Sequence, residues 1–113
     1  MSEEKIQGMK HDEGKTRYDL LDPYALEQLA KIYTFGILKY EENNWRSGFK
    51  FSRIFGALMR HSWAFWRGKD LDEESGLPHM AHAAWCCFTL LNFSKYDIGE
   101  DDRVKQEFKT GGK

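Results

Sequence analysis

Two helix-forming segments joined by a short acidic loop dominate the second half of the sequence. Ser52 is expected to cap the first segment, and Gly68 is placed to end it. The second segment opens at Leu77–Pro78 and runs, nearly all apolar, to about Tyr96. A connection of about ten residues suits antiparallel neighbours. The sequence therefore predicts an antiparallel helical hairpin.

A further helix is predicted upstream of the hairpin. Asp22 offers a side-chain acceptor at its N-cap, Pro23 suits its first turn, and apolar residues recur at helical spacing to about Tyr40. Residues 41–48 read as a loop, and residues 1–21 as a polar segment. The charged tail, 97–113, is expected to be frayed or disordered from Gly99 onward. We expect one domain over 1–113, an all-α small helical bundle with its core in 22–96.

The composition narrows the range of partners. Seventeen basic residues against eighteen acidic ones give a formal net charge of −1, which argues against binding of duplex nucleic acid.

Aromatic residues make up 15% of the chain, more than a small helical core can hide. Some of them should therefore line a pocket or a subunit interface, and we expect a homo-oligomer. The sequence has no apolar leader and no apolar run near 18 residues, so we expect a cytoplasmic protein with no membrane partner. The adjacent Cys86 and Cys87 are expected to be reduced thiols that fill the core.

Three histidines should meet on the hairpin. If Arg67 lies opposite Pro78, His61 falls within a turn of His82, while His79 and His82 share one helix face. The acidic loop lies next to them. The candidate catalytic residues are His61, Asp72, Glu74, His79 and His82, and all but His61 are candidate ligands of a divalent metal. The alternatives are a core histidine bonded to a backbone carbonyl at His61, a merely partly exposed side chain at His79 and a solvated linker in the acidic loop.

A second group of residues is cationic and aromatic. Guanidinium groups bind phosphate in a bidentate manner, aromatic rings stack on bases, and an asparagine amide can bind a base edge or a sugar hydroxyl. The candidate substrate-binding residues are Lys15, Arg17, Lys39, Tyr40, Asn44, Trp45, Arg46 and Arg60. The alternative is a solvated basic surface, with Trp45 as a core residue.

Several motifs follow one another in a recognisable order. They are Lys10-x-Asp12-x-Gly14-Lys15-x-Arg17-Tyr18-Asp19-Leu20-Leu21, Phe35-Gly36-x-x-Lys39-Tyr40, Asn44-Trp45-Arg46, Arg60-His61 and Asp72-x-Glu74-Ser75-Gly76-Leu77-Pro78-His79-x-x-His82-Ala83. Over roughly residues 10–96, this order resembles the phage and prophage family labelled dATP/dGTP diphosphohydrolase N-terminal domain.

The resemblance implies a distant link to the all-α nucleotide pyrophosphohydrolases of the MazG type, which hold Mg²⁺ on acidic helix motifs. Here His79-x-x-His82 stands where one acidic motif is expected, and Arg60-His61 where the other is expected. Imidazole ligands suit Zn²⁺ or Mn²⁺ better than Mg²⁺, so we expect a divalent cofactor among these three.

The leading hypothesis is a (d)NTP pyrophosphohydrolase that releases pyrophosphate. The alternative is a non-catalytic protein that sequesters a nucleotide signal of host anti-phage defence. An HD-type phosphohydrolase would need a His-Asp pair within a helix, which this sequence lacks.

Overall fold

The computed structural model describes residues 14–39 and 49–105, and the side chains of residues 38 and 39 lie outside that description. A short 3₁₀ turn, Tyr18–Leu20, precedes three helices: α1 (Pro23–Lys39), α2 (Phe51–Trp66) and α3 (His79–Tyr96). Helix α3 packs against both α2 and α1. In the described part of the chain, the only β pairing consists of two isolated bridges. The predicted all-α class is confirmed.

The start of α1 follows from local chemistry. The Asp22 carboxylate accepts a hydrogen bond from the Tyr24 backbone N–H at 2.8 Å, which satisfies a donor in the first helical turn. Leu29 and Ile32 are buried on α1, three residues apart, as an apolar stripe requires. The predicted N-terminal boundary at Asp22–Pro23 is therefore correct.

Helices α2 and α3 form the predicted antiparallel hairpin. Phe51, at the start of α2, contacts Phe93 near the end of α3 with ring centroids 6.2 Å apart. Gly68 has a φ of 96° and its N–H donates to the Phe65 carbonyl, which ends α2 as expected. The core between the helices is formed by Phe51, Ile54, Cys86 and Phe93. Cys87 is exposed, so the expectation that both thiols fill the core is wrong for that residue.

The N-terminus of α2 differs from the prediction. Lys50 occupies the N-cap position without a side-chain hydrogen bond, and Ser52 lies inside the helix. The cap comes instead from Asp102, whose carboxylate accepts hydrogen bonds from the Ser52 backbone N–H at 2.9 Å and from its hydroxyl. Ser52 is therefore not the cap, and the acceptor at this end of the helix comes from a residue 50 positions away.

The segment after α3 also departs from the expected frayed tail. The Phe51 N–H donates to the Glu100 carbonyl at 2.9 Å, and the Glu100 N–H donates to the Phe49 carbonyl at 3.2 Å. Gly99 has a φ of 79° and lies so close to Phe49 and Phe93 that a side chain has no room there. Residues 99–102 therefore tether the end of α3 to the start of α2. None of the three helices combines the length and apolar content that crossing a membrane requires.

Candidate functional site at the loop end of the hairpin

The loop between α2 and α3 has a defined backbone structure. The Asp72 N–H donates to the Leu77 carbonyl, and the Gly76 N–H donates to the Asp72 carbonyl, both at 2.8 Å. Gly76 adopts a φ of 73°, a left-handed conformation that glycine accepts at low cost. The His79 N–H donates to the Asp70 carbonyl, also at 2.8 Å. These bonds hold Asp72 next to the first turn of α3.

Three histidines meet beneath this loop, as the helical register predicts. His61 of α2 lies with its Nδ1 atom 2.8 Å from Nδ1 of His79, so one of the two nitrogens donates a proton to the other. The His61 ring stacks on the His82 ring with centroids 4.5 Å apart and planes 7° apart. Burial, and then the charges of His82 and His79, lower the pKa of His61 to about 4. His61 is therefore neutral at pH 7 and keeps a nitrogen lone pair.

Ser75 joins Asp72 to His82, a role that the sequence analysis missed. Its hydroxyl lies 2.7 Å from His82 Nε2 and donates to Asp72 Oδ2 at 3.1 Å. It also accepts a hydrogen bond from the Leu77 N–H at 3.1 Å. With the serine proton directed at Asp72, His82 Nε2–H is the donor in its bond to Ser75. One nitrogen of His82 is thus engaged with the loop.

The Asp72 carboxylate is held in its ionised form. Burial opposes ionisation, but hydrogen bonds from the Ser75 N–H and hydroxyl outweigh it, and the charges of His82 and His61 add to them, so the pKa of Asp72 lies below its usual value. The Ser75 N–H bond to Asp72 Oδ2 measures 2.9 Å. The result is a fixed anion beside the histidine rings.

His61, Asp72 and His79 each place one potential metal-ligand atom within 4.8 Å of the other two. His79 is 8% exposed, so the group is sheltered by the hairpin. Two imidazoles and one carboxylate fit Zn²⁺ or Mn²⁺ better than Mg²⁺, which prefers oxygen ligands. The donor set therefore fits a borderline divalent cation.

The members of this group differ from the predicted metal ligands. His61 takes part in it, although the sequence analysis offered His61 only as a catalytic residue. His82 lies beside the group, with its Nε2 bonded to Ser75. Glu74 is exposed and does not join the group. Asp72 and His79 belong both to this group and to the predicted metal ligands.

An open cleft of about 420 Å³ adjoins the metal-ligand group. Its walls include Asp72 and His79, the carboxylate of Glu73, and two cationic residues, Arg67 and Lys69. Arg67, Lys69 and Glu73 are not among the site residues predicted from the sequence. The signal available for them was their place in the sequence, Arg67 at the end of α2 and Lys69 and Glu73 in the acidic loop next to Asp72.

The predicted substrate-binding residues lie elsewhere or outside the described residues. Lys15 is exposed, and Arg17 forms an ion pair with Asp19 at 2.8 Å. Arg60 is exposed on α2 and its guanidinium points back toward Gly56, although its charge still acts on His61. For Lys39 the structure describes the backbone but not the side chain. The other four candidates lie outside the residues that the structure describes: Tyr40, Asn44, Trp45 and Arg46.

α1 reaches the same site through Phe35. Its ring meets the His82 ring edge-on, with centroids 6.3 Å apart and planes at 90°. Phe35 belongs to the Phe35-Gly36 pair noted in the sequence, where it carried no assigned role. All three helices therefore contribute to the histidine cluster.

Comparison with known proteins gives two matches. The family described as dATP/dGTP diphosphohydrolase, N-terminal, matches residues 5–103 of this chain. A protein of Salmonella phage PMBT28, named dATP/dGTP diphosphohydrolase, is 40% identical over 88 residues, which cover 75% of this chain. The aligned region spans only 30% of the length of that relative. No solved structure matches the chain.

Proposed function

Because the chain belongs to the dATP/dGTP diphosphohydrolase N-terminal family, we propose that it is a metal-dependent pyrophosphohydrolase of nucleoside triphosphates. It would convert a (d)NTP and water into the monophosphate and pyrophosphate. The observation that carries the proposal is the grouping of His61, Asp72 and His79 within 4.8 Å. Asp72 and His79 of this group line a cleft that is also lined by the cationic side chains of Arg67 and Lys69.

The metal would be held by His61, His79 and Asp72. When bound, a divalent cation there supplies positive charge to the phosphate oxygens and activates water. The protein contributes a fixed carboxylate and two imidazoles; Ser75 orients the carboxylate, and stacking on His82 orients His61. We propose Mn²⁺ or Zn²⁺ ahead of Mg²⁺, since two of the three ligands are imidazoles.

Arg67 and Lys69 would bind the phosphates. A triphosphate needs several cationic groups in a small space, and these two line the cleft beside the ligand group. Lys69 also pairs with Glu73 at 3.3 Å, an exposed ion pair that a phosphate could replace at low cost. Arg60, Lys15 and Arg17, with the residues of 39–46 selected from the sequence, remain proposed contacts to the nucleotide.

Glu73 is the proposed acceptor of the proton from the attacking water. It lines the cleft, and it is the carboxylate there that the metal-ligand group leaves out. Glu74, its neighbour in sequence, does not line the cleft. The pair offers a matched test: Glu73→Gln should lower kcat by about 100-fold or more, and Glu74→Gln should leave it near the wild-type value.

The substrate proposal rests on the name of the relative. The phage protein is named for dATP and dGTP, so deoxypurine triphosphates are the first substrates to test. We further propose a cytoplasmic, self-associating protein that acts in a bacterial host.

A second candidate function is nucleotide sequestration without turnover. It is favoured by one observation: the ligand group contains a single carboxylate, Asp72, where a Mg²⁺-dependent enzyme would need several oxygen ligands. The captured molecule would be a nucleotide signal of host anti-phage defence.

One experiment distinguishes the two functions. The purified protein is incubated with each (d)NTP or with cyclic dinucleotides in Mg²⁺, Mn²⁺ or Zn²⁺, and the nucleotides are chromatographed before and after heat denaturation. Monophosphate and pyrophosphate, lost in Asp72→Asn, support the hydrolase. A nucleotide that disappears and returns intact after denaturation supports sequestration and contradicts the hydrolase. If no nucleotide is bound or cleaved, both functions are wrong.

A further inference from the structure

Helix α2 presents a second apolar face besides the one that packs on α3. Phe55, Met59, Trp63 and Trp66 are 53%, 40%, 52% and 77% exposed. At 100° per residue, these four positions fall within an arc of roughly 80°. We call them the aromatic stripe.

The aromatic stripe is separate from the two other faces of α2. The core face of the helix contains the buried Phe51 and Ile54. Arg53, Arg60 and Arg67 lie on a third face, about 100° from the stripe. A helix of a small domain normally has one apolar face, which packs against the core. A second apolar face that contains no charged residue indicates a second packing partner.

We infer that the aromatic stripe is a homodimer interface, in which α2 packs against α2 of a second copy of this chain. The four side chains expose roughly 500 Å² per copy, since large side chains of this kind present about 150–250 Å² each. Two such faces together remove roughly 1,000 Å² from water, which is the lower limit for a specific interface. Complete burial of the stripe in both copies would therefore reach the smallest area that a specific dimer needs.

The large amount of exposed apolar surface also favours a second copy of the chain as the partner of the stripe. Among the described residues, eight apolar side chains are buried, whereas seventeen large ones are exposed. Pairing through the stripe would place α2 between α3 of its own copy and α2 of the second, and would turn two hairpins into a layered bundle. Because a twofold interface uses the same patch twice, the stripe must be complementary to itself, which uncharged aromatic and Met side chains allow.

The interface inference does not depend on turnover. The stripe lies outside the His61–Asp72–His79 group and outside the residues that line the cleft. A dimer without hydrolysis and hydrolysis by a monomer are therefore distinguishable results. Asp72→Asn is expected to lose activity and to keep the dimer.

Sedimentation velocity of the full chain between about 5 and 200 µM tests the interface. We expect a species of twice the 13.3 kDa chain mass, with a dissociation constant in the micromolar range. Trp63→Glu should weaken association at least about 30-fold, as expected for loss of a central aromatic residue. Leu91→Glu is the matched control: Leu91 is 71% exposed on α3, outside the stripe, and its variant should associate like the wild type.

A second measurement covers the case in which Trp63→Glu does not fold. In a Cys87→Ser background, Met59→Cys should form a disulfide-linked dimer under mild oxidation, whereas Ser94→Cys, on α3, should not. A monomeric wild type at 200 µM overturns the inference. A dimer that persists in folded Trp63→Glu also overturns it. So does a monomer in which another segment of the same chain shields Trp63 from acrylamide.

Discussion

Replacing Ser75 with Ala tests whether the Asp72–Ser75–His82 network organises the site. The substitution removes the acceptor of the Leu77 N–H, the partner of His82 Nε2 and one donor to Asp72. The Ser75 backbone N–H still bonds Asp72. The loop should therefore keep its path while the side chains of Asp72 and His82 lose their mutual link.

The magnitude follows from how much water can replace the lost bonds. A buried group left without a partner costs about 1–3 kcal/mol. The side chains of His82 and Asp72 are 13% and 19% exposed, so water can reach them in part. We expect a loss of about 1–2 kcal/mol in the free energy of unfolding, or about 4–8 °C in Tm. Affinity for Mn²⁺ or Zn²⁺ should fall about 10–100-fold, because Asp72 keeps only the backbone N–H bond from residue 75 and loses the hydroxyl bond.

The assay combines urea unfolding followed by circular dichroism with calorimetric titration of Mn²⁺ and Zn²⁺. Ser94→Ala is the control, since the Ser94 hydroxyl donates only to the Leu90 carbonyl of its own helix at 2.8 Å. That change should stay within about 0.5 kcal/mol of the wild type. Equal stability and equal metal affinity in the two variants would refute the role of Ser75.

Three further predictions concern the backbone, the pH dependence and the metal. Gly99→Ala should cost about 2–4 kcal/mol of unfolding free energy, because a Cβ there meets the Phe49 carbonyl and the Phe93 ring at 2.7 Å. Gly68→Ala, which is strained only through its φ, should cost about 1–2 kcal/mol. Equal urea midpoints for the two variants would contradict the close approach of Phe49 and Phe93 to Gly99. In metal-free protein, stability should fall as the pH drops from 6.5 toward 4, because His61 takes up its proton at a higher pH in the unfolded chain than in the folded one. His61→Phe should flatten the dependence of Tm on pH in that window. An unchanged slope would contradict the lowered pKa of His61. At equal concentration, Mn²⁺ or Zn²⁺ should raise Tm more than Mg²⁺, an effect that His79→Ala removes; an equal response to all three ions would argue against the imidazole ligands.

The features that the sequence predicts correctly are those set by neighbouring residues. The Asp22 cap and the Gly68 stop depend on contacts within a few positions, so they are visible in the sequence. The meeting of His61 with His79 and His82 requires only the antiparallel register that a short loop imposes. Sequence spacing therefore located the histidine cluster.

The features that the sequence missed depend on distant or ambiguous residues. Asp102 caps a helix 50 positions upstream, and no periodic pattern reports such a contact. Ser75 looks like an ordinary loop residue until Asp72 and His82 are placed around it. Arg67 and Lys69 appear as solvated charge until the cleft between them is seen. Such roles arise from three-dimensional placement, and residue type alone does not predict them.

The tether between Phe51 and Glu100 has a practical consequence for fusion proteins. It holds the segment after α3 at the start of α2, whereas the cleft lies at the other end of the hairpin. Phe51 and His61 are ten residues apart on α2, which corresponds to roughly 15 Å along the helix axis. An affinity tag, a fluorescent protein or a further domain joined directly at residue 105 would therefore start near the end of the hairpin that is remote from the cleft. Immobilisation through that end should keep the cleft accessible to nucleotides in solution.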